Sequence, residues 1–600
     1  MKRIAPLLLL LVQLPLEAQE PQASRAPAPR RVLGAAPLPG DVRTDGRVDD
    51  PARSAAEVAA GFTQAYPRPG APASEGTEIR VLAGPDALYV AARMLDSRPD
   101  SIVAPLARRD AAGIYTDQVQ VSIDSRNDRR TAFLFSVNPR GVKRDVFLYD
   151  DTREDASWDA VWDVATAVDS SGWTAEFRIP YSQLRFSGGP ADGRVWGLGV
   201  MRDLARKEER STWSPWTRNS PGFVSSHGEL AGLAGIRAPG RLEVLPYTSA
   251  RLERAPGDRA NPFYDANDWA SSVGADVQYG VPGGLTLTAT VNPDFGLGEV
   301  DPADVNLTAF ETFFTERRPF FVEGSDIFRF GQLAAGNTYG FSEFFYSRRI
   351  GRPPQRVLGG PDVLQVDAPE QSTILAAAKL SGKTAGGWSV GLMDAVTSRE
   401  EARYLTASGE RSAPVEPLSN YLVGRLRRDL DRGNTVLGGI ATATHRDLGG
   451  SEFDALLRSR AMLAGVDAQH SWKARAWTAS GYLAGTRVEG SRQVITGAQT
   501  SSARYYQRPD ADYLRLDSTR TALDGYTGAA AIRHSGSWDA SLAYQAVSPG
   551  FEVNDLGFQG RTDSHAVSTF LGHRINRPGR VFRDKLLALY AQHAWNFGGD

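Results

Sequence analysis

The sequence predicts an all-β chain, an N-terminal antiparallel β-sandwich followed by an outer-membrane β-barrel whose C-terminus reads as truncated. Three observations predict it. The first residues carry an export pattern. Short runs of period-two hydrophobicity fill residues 41 to about 236. From about 241 the runs lengthen, with a lighter apolar face set against a hydroxyl-rich one.

Lys2 and Arg3 give a positive start, Ile4 to Leu14 is apolar apart from Pro6 and Gln13, and Ala18 precedes the polar Gln19-Glu20-Pro21-Gln22. This is the order of a secretory signal peptide, assigned to residues 1–18 and cleaved on export. The apolar run is too short for a membrane-spanning helix, which needs about 20 residues. Residues 19–40, rich in Pro and Ala, are expected to form a flexible leader.

Composition narrows the chemistry. With no cysteine among 600 residues, disulfides, thiolate metal sites and cysteine nucleophiles are excluded. A net charge of -2 argues against a nucleic-acid surface. Charged residues recur every few positions, so any membrane entry has to be through a closed barrel, which satisfies its own backbone.

In the first region Leu88, Val90, Ala92 and Met94 alternate with other residues. Val119, Val121 and Ile123 alternate with Gln118, Gln120 and Ser122. Phe133, Phe135 and Val137 repeat the pattern, as do Trp173, Ala175, Phe177 and Ile179 against Thr174, Glu176 and Arg178. Period two with one apolar face marks half-buried strands, and several such strands separated by polar turns suggest a sandwich over 41–236.

In the second region Val273, Ala275, Val277 and Tyr279 lead through Pro282-Gly283-Gly284 into Leu285, Leu287, Ala289 and Val291, which alternate with threonines and Asn292. Trp538, Ala540, Leu542 and Tyr544 repeat the theme. Strands of about ten residues, apolar outward and polar inward, are the pattern of a transmembrane barrel, and Trp388, Trp477 and Trp538 suit interfacial girdles. A large soluble β-sandwich or a propeller is the alternative; no repeat of 40–50 residues is evident to support the propeller. Roughly 13 strands are expected within 241–600.

An inserted block, 292–324, interrupts the hairpins. Leu307, Phe310, Phe313 and Phe314 fall at helical spacing, with Asp304 as a possible cap and Pro319 as a stop. The block is too charged for lipid contact, so it is expected inside the barrel or at its mouth. Phe310, Phe314, Arg317, Arg318 and Glu323 are its candidate plug or clasp residues.

The pieces D-G-R-V-D-D-P (45–51), T-E-I-R-V-L (77–82), A-L-Y-V-A-A-R (87–93), S-I-D-S-R-N-D-R-R-T-A-F (122–133) and G-W-T-A-E-F-R-I-P-Y-S-Q-L-R-F (172–186) resemble the family 9 carbohydrate-binding-module-like domain. N-P-D-F-G through R-P-F-F-V-E-G, with F-Y-S-R-R-I-G-R (345–352), resembles an uncharacterised outer-membrane barrel family. The resemblance implies a glycan-binding sandwich, a polysaccharide or glycoconjugate partner, contact with outer-membrane lipid and, through the usual company of such modules, a link to hydrolysis of glycosidic bonds.

Sugar recognition wants aromatic platforms beside hydrogen-bonding groups. S-W-D-A-V-W-D and W-S-P-W make Trp158, Trp162, Trp213 and Trp216 the candidates, Trp158 and Trp162 sharing a face if they lie in a strand. Trp173 and Trp196 read as core. Asp150, Asp151 and Asp155 sit in an acidic stretch that could hold structural calcium, as related modules do; a solvated acidic loop is the alternative. No H-E-x-x-H or G-x-S-x-G motif occurs, and no catalytic residue is assigned. The expected function is outer-membrane glycan capture, with anchoring or passage through the barrel. A glycoside hydrolase or its partner, and a structural barrel without sugar binding, are the alternatives. The N-terminal position places the sandwich in the periplasm.

Overall fold

The computed structural model describes residues 30–600 apart from 41, 55, 157, 187–193, 237–241, 255, 258–259, 294–304, 309–310, 336–341, 385, 451, 577 and 583. The signal peptide, most of the leader, Asp304 and Phe310 therefore lie outside the described residues.

The alternating runs form two stacked sheets, because each buries one face only. One sheet orders Val32–Gly34, Gly228–Ala231, Trp196–Leu204, Gln118–Asp124, Ala132–Val137, Lys143–Tyr149 and Arg153–Asp155, with Glu209–Thr212 and Thr63–Tyr66 branching from Trp196–Leu204. The other orders Asp163–Asp169, Gly172–Pro180, Ala87–Leu95, Thr77–Ala83 and Ala36–Pro37. Val119, Val121, Ile123, Phe135, Val90 and Phe177 meet between them, around the fully buried Trp173 and Trp196. The leader is shorter than expected: Val32–Gly34 pairs in parallel with Gly228–Ala231, and Leu33 enters the core.

D-G-R-V-D-D-P is structural. The backbone N–H groups of Asp45 and Gly46 donate to the buried Glu176 carboxylate at 2.8 and 2.7 Å, and Arg53 pairs with the same group. A buried carboxylate is stable only with such partners, so this loop is tied to the strand Gly172–Pro180.

The second region is one thirteen-stranded sheet from Leu242–Glu253 to Lys585–Trp595, in which the neighbours are all antiparallel and follow chain order. Five of its connections are tight turns at one end, at 282–284, 384–387, 431–434, 473–476 and 535–537. The opposite end carries the long segments 398–418, 447–459, 490–521 and 548–563. The outward face is apolar: Val273, Leu426, Val466, Leu483, Leu542 and Leu587 are all exposed. The inward face buries Lys379, Ser381, Arg425, Thr442, Ser480, Thr486 and Gln545. Aromatic rings line the tight-turn end, where His470, Trp472, Trp477 and His534 follow one another at 4.8–6.0 Å and Trp538 stacks on His573 at 4.3 Å. No described helix is long and apolar enough to cross a membrane.

Residues 311–335 and 342–350 pack against the inward face. Phe320, Phe321 and Phe328 bury themselves with Ile374, Met393, Tyr421 and Val423, and Phe330 and Phe344 pack on Tyr482 and Phe551. The expected helix ending at Pro319 is not seen over 311–318. Pro319 instead opens a short helix, Pro319–Val322, a first-turn position where its missing N–H costs nothing. Phe314 donates its N–H to the Tyr346 hydroxyl at 3.1 Å, and Arg318 pairs with Glu316 at 2.6 Å and lies over the Phe321 ring. Arg317 is half-buried in the same segment.

Candidate functional site

The core-facing valines of Gln118–Asp124 force Gln118 and Gln120 to the opposite face of their sheet. There they form the floor of a cleft of about 890 Å³. Register sets the floor: Gln118 lies beside Asp203, and Gln120 lies between Met201 and Ser136, with Arg144 next in the row. Tyr66, Tyr115, Trp216 and Phe223 supply aromatic walls, and Asn576 and Asp584, from the connection before the last strand, reach the rim. Asn576 donates to Asn219 at 2.8 Å.

The polar groups of the cleft are oriented in advance. Asp203 accepts from Arg210 at 2.6 and 2.7 Å and from Gln118 at 2.6 Å. Gln118 in turn accepts from the Ser136 hydroxyl at 3.1 Å, and Arg144 donates to Glu154 at 2.8 Å. Burial works against the Arg210 charge, but the paired bonds to Asp203 outweigh it and raise its pKa. Arg218 lies 3.9 Å from the Tyr66 ring centroid. The Gln120 side chain lines the cleft, with no hydrogen-bond partner among the described residues. Rings beside fixed donors and acceptors, with one amide free, suit a neutral polyhydroxylated ligand.

The four tryptophan candidates separate. Trp216 lines the cleft, edge-on to Phe223 at 5.5 Å. Trp162 is a correction: it is 1% exposed, stacked on Phe177 at 5.7 Å, with its indole N–H on Asp145 at 3.2 Å. Trp213, 3% exposed, is likewise core. Trp158 packs on Phe133 and Phe135 at the core margin. The segment 158–162 is not a strand, so its spacing carried no shared face. Gln120, Tyr66 and Asp203 were missed. Their only mark in the sequence is a polar residue on an alternating strand or an isolated tyrosine.

The acidic stretch is also corrected. Asp150 accepts from Arg130 at 2.5 Å and Arg427 at 3.1 Å. Asp151 accepts from Arg475 at 2.6 Å, from the Phe223 and Ser225 N–H groups at 3.0 and 2.8 Å, and from the Ser225 hydroxyl at 2.7 Å. Carboxylates already neutralised by guanidinium cations do not fit a calcium ion, which needs six to eight oxygen ligands and repels those cations, so Asp150 and Asp151 do not form the expected site with Asp155. Among the described residues a different trio, Asp110, Asp145 and Asp159, gathers its oxygens within 4.8 Å, and Arg109 pairs with all three at 2.6–3.3 Å.

These arginines join the two regions. Arg427 and Arg475 belong to the large sheet, as does Lys383, which bonds Asp128 at 2.8 Å. The inner segment is held from the same side: Glu323 accepts from Arg185 at 2.7 Å and from Gln278 at 2.7 Å, and Arg329 lies over the Tyr149 ring at 4.5 Å. Glu323 is thus a clasp between sandwich, inner segment and sheet.

Fold and site define a nearly all-β protein in which a cleft-bearing sandwich is docked on the tight-turn end of a large antiparallel sheet. The chain belongs to the family described as a domain of unknown function, DUF5916, which matches residues 238–598. Residues 44–222 match the carbohydrate family 9 binding domain-like family. A comparison with curated proteins finds no match. Among solved structures, a carbohydrate binding module family 9 from Caldicellulosiruptor kristjanssonii in complex with cellotriose is similar at 19% identity and a TM-score of 0.25, covering 34% of this chain and 93% of its own. A putative carbohydrate-binding protein from Bacteroides uniformis is similar at 12% identity and a TM-score of 0.28, covering 34% and 98%. Pseudomonas aeruginosa OccK1 (OpdK) is similar at 8% identity and a TM-score of 0.17, covering 80% and 98%.

Proposed function

We propose that the chain is an exported outer-membrane protein that captures a glycan or glycoconjugate on its sandwich and anchors it at, or passes it through, the large sheet. The observation that carries this reading is the cleft, where aromatic rings flank a floor of oriented polar side chains; the family match over 44–222 supports carbohydrate as the ligand. The outward apolar face with its aromatic row supports a lipid environment for the sheet, since exposing that face to water is unfavourable. The sandwich lies at the tight-turn end. Barrels of the outer membrane keep short turns on the periplasmic side, which supports a periplasmic sandwich.

The test is glycan-array binding by the full chain in detergent micelles. Saturable binding to one glycan class that disappears with Trp216→Ala is expected. A blank array from well-folded protein would overturn the carbohydrate reading.

A further inference from the structure

A second set of polar groups converges far from the cleft, on the inward face of the large sheet at its long-segment end. Register places Thr397, Ser419 and Arg446 in one row, and Ala395, Tyr421 and Thr444 in the next. All six side chains belong to the inward set, since Leu422, which alternates with them, is exposed outside. Thr397, Tyr421, Thr444 and Arg446 are each no more than 2% exposed. Across from them the segment after Ile350 brings in Arg352: Gly351 lies against Ile374, the register partner of Thr397, and the Arg352 carbonyl accepts from the Ser372 N–H at 3.0 Å.

What marks the patch is unmet donor capacity. Arg446 uses one terminal nitrogen on Asp555, at 2.7 Å, and on the Arg458 carbonyl, at 3.0 Å. Its Nε and Nη2 are buried without a partner. So are Arg352 Nε and the Thr397 and Thr444 hydroxyls. The nearby carboxylates are already committed. Asp555 also takes Arg458 at 2.6 Å, Glu311 takes Arg349 at 2.8 Å, and Glu416 accepts from Gln355 through both its oxygens at 2.8 Å. Buried polar groups in folded proteins are overwhelmingly hydrogen-bonded, and leaving one unpaired costs about 1–3 kcal/mol. Two guanidinium groups and two threonine hydroxyls therefore keep buried donors without a partner beside the Tyr421 ring.

We infer that this patch is a binding site for a small oxyanion, a carboxylate or a phosphate. A planar guanidinium presents paired N–H donors that match either group, and the flanking hydroxyls can donate to the remaining lone pairs. The patch lies at the long-segment end of the sheet, opposite the sandwich.

The full chain in detergent is melted, followed by tryptophan fluorescence, against rising sodium phosphate, sodium acetate or sodium chloride at constant ionic strength. A saturable rise in midpoint with phosphate or acetate and not with chloride is expected, and the two arms distinguish the phosphate from the carboxylate. Arg352→Gln, which breaks no ion pair among the described residues and removes a buried cation opposed by Arg446 and Arg349, leaves the anion-free midpoint no lower and raises the half-saturating concentration at least tenfold. Thr444→Val raises it severalfold. An identical response to all three salts, or a response that Arg352→Gln leaves intact, overturns the site.

Discussion

Asp151 of the sandwich accepts a hydrogen bond from Arg475 of the large sheet at 2.6 Å, and both residues hold left-handed backbone to do so, with φ of 73° and 66°. Lys473 and Ala474 share that conformation, which costs non-glycine residues of order 1–3 kcal/mol each and persists only where surroundings enforce it. The bonds of Arg475 to Asp151, Asn434 and the Arg129 carbonyl enforce it here. Removing one partner of a mostly buried pair typically costs about 3–5 kcal/mol. Arg475→Gln should therefore free the 473–476 turn and undock the sandwich edge. Hydrogen exchange at 149–153 and 473–476 should accelerate together; unchanged protection in both would show that the pair does not hold the interface.

Asp150 predicts how that interface responds to acid. Burial alone would raise its carboxyl pKa, but Arg427 and Arg130 pull it well below the usual carboxylate range. A depressed folded pKa gives stability that is present above the unfolded value, about 3.9, and is lost only as pH falls through the folded one. Docking should be constant from pH 7.5 to 5 and weaken below about 4. Cross-linking between cysteines introduced at exposed positions on either side of the interface follows it directly.

Trp216 and Trp162 should part in behaviour. Trp216→Ala removes a cleft wall and leaves the core intact, so glycan binding should fall at least tenfold with little change in unfolding midpoint. Trp162→Ala empties the space over Phe177 and orphans part of the Asp145 network, at a cost of about 3–5 kcal/mol. Equal loss of stability in both variants would place Trp216 in the core as well.

That distinction also shows where the sequence stopped being informative. Alternation located strands such as Ala87–Leu95, Gln118–Asp124, Gly172–Pro180, Asp268–Val281 and Trp538–Val547, because one-sided burial imposes period two. Gln118, Gln120 and Ser122 were legible as an outward face, but whether that face meets bulk water or a cleft depends on Tyr66 and Trp216, brought there from distant segments. Asp150 and Asp151 looked like a cation site because their partners, Arg427 and Arg475, lie about 300 positions away. Pro319 in sequence is as compatible with the end of a helix as with its first turn, the position it takes in Pro319–Val322.

His227 sets a second pH dependence, within the sandwich. Its ring is buried with neither nitrogen partnered, edge-on to Phe223, and burial together with the Arg129 cation pushes its pKa down to about 3. The unfolded chain binds a proton near pH 6.5 that the folded chain refuses. Stability is thus full above about 6.5 and declines as pH falls from there toward 3. Urea midpoints at pH 7.5 and 5 should differ in the native chain, and His227→Gln should shrink the difference. An equal slope in the variant would assign the dependence to other groups.

Leu483 tests the environment of the large sheet. It is 66% exposed at the centre of the apolar face, between Val466 and Gly528 in register. If that face meets hydrocarbon, a cation there costs about 2–4 kcal/mol near the bilayer midplane and much less at its edges. Leu483→Arg should then lower the yield of folding into phosphatidylcholine vesicles, and Trp538→Arg, in the aromatic row, should lower it less. The same two substitutions on a sheet that faces water would leave stability unchanged or improve solubility, because an exposed leucine exchanged for arginine removes apolar surface from solvent. The sign of the Leu483→Arg effect therefore separates a lipid-facing sheet from a soluble one without reference to pore activity.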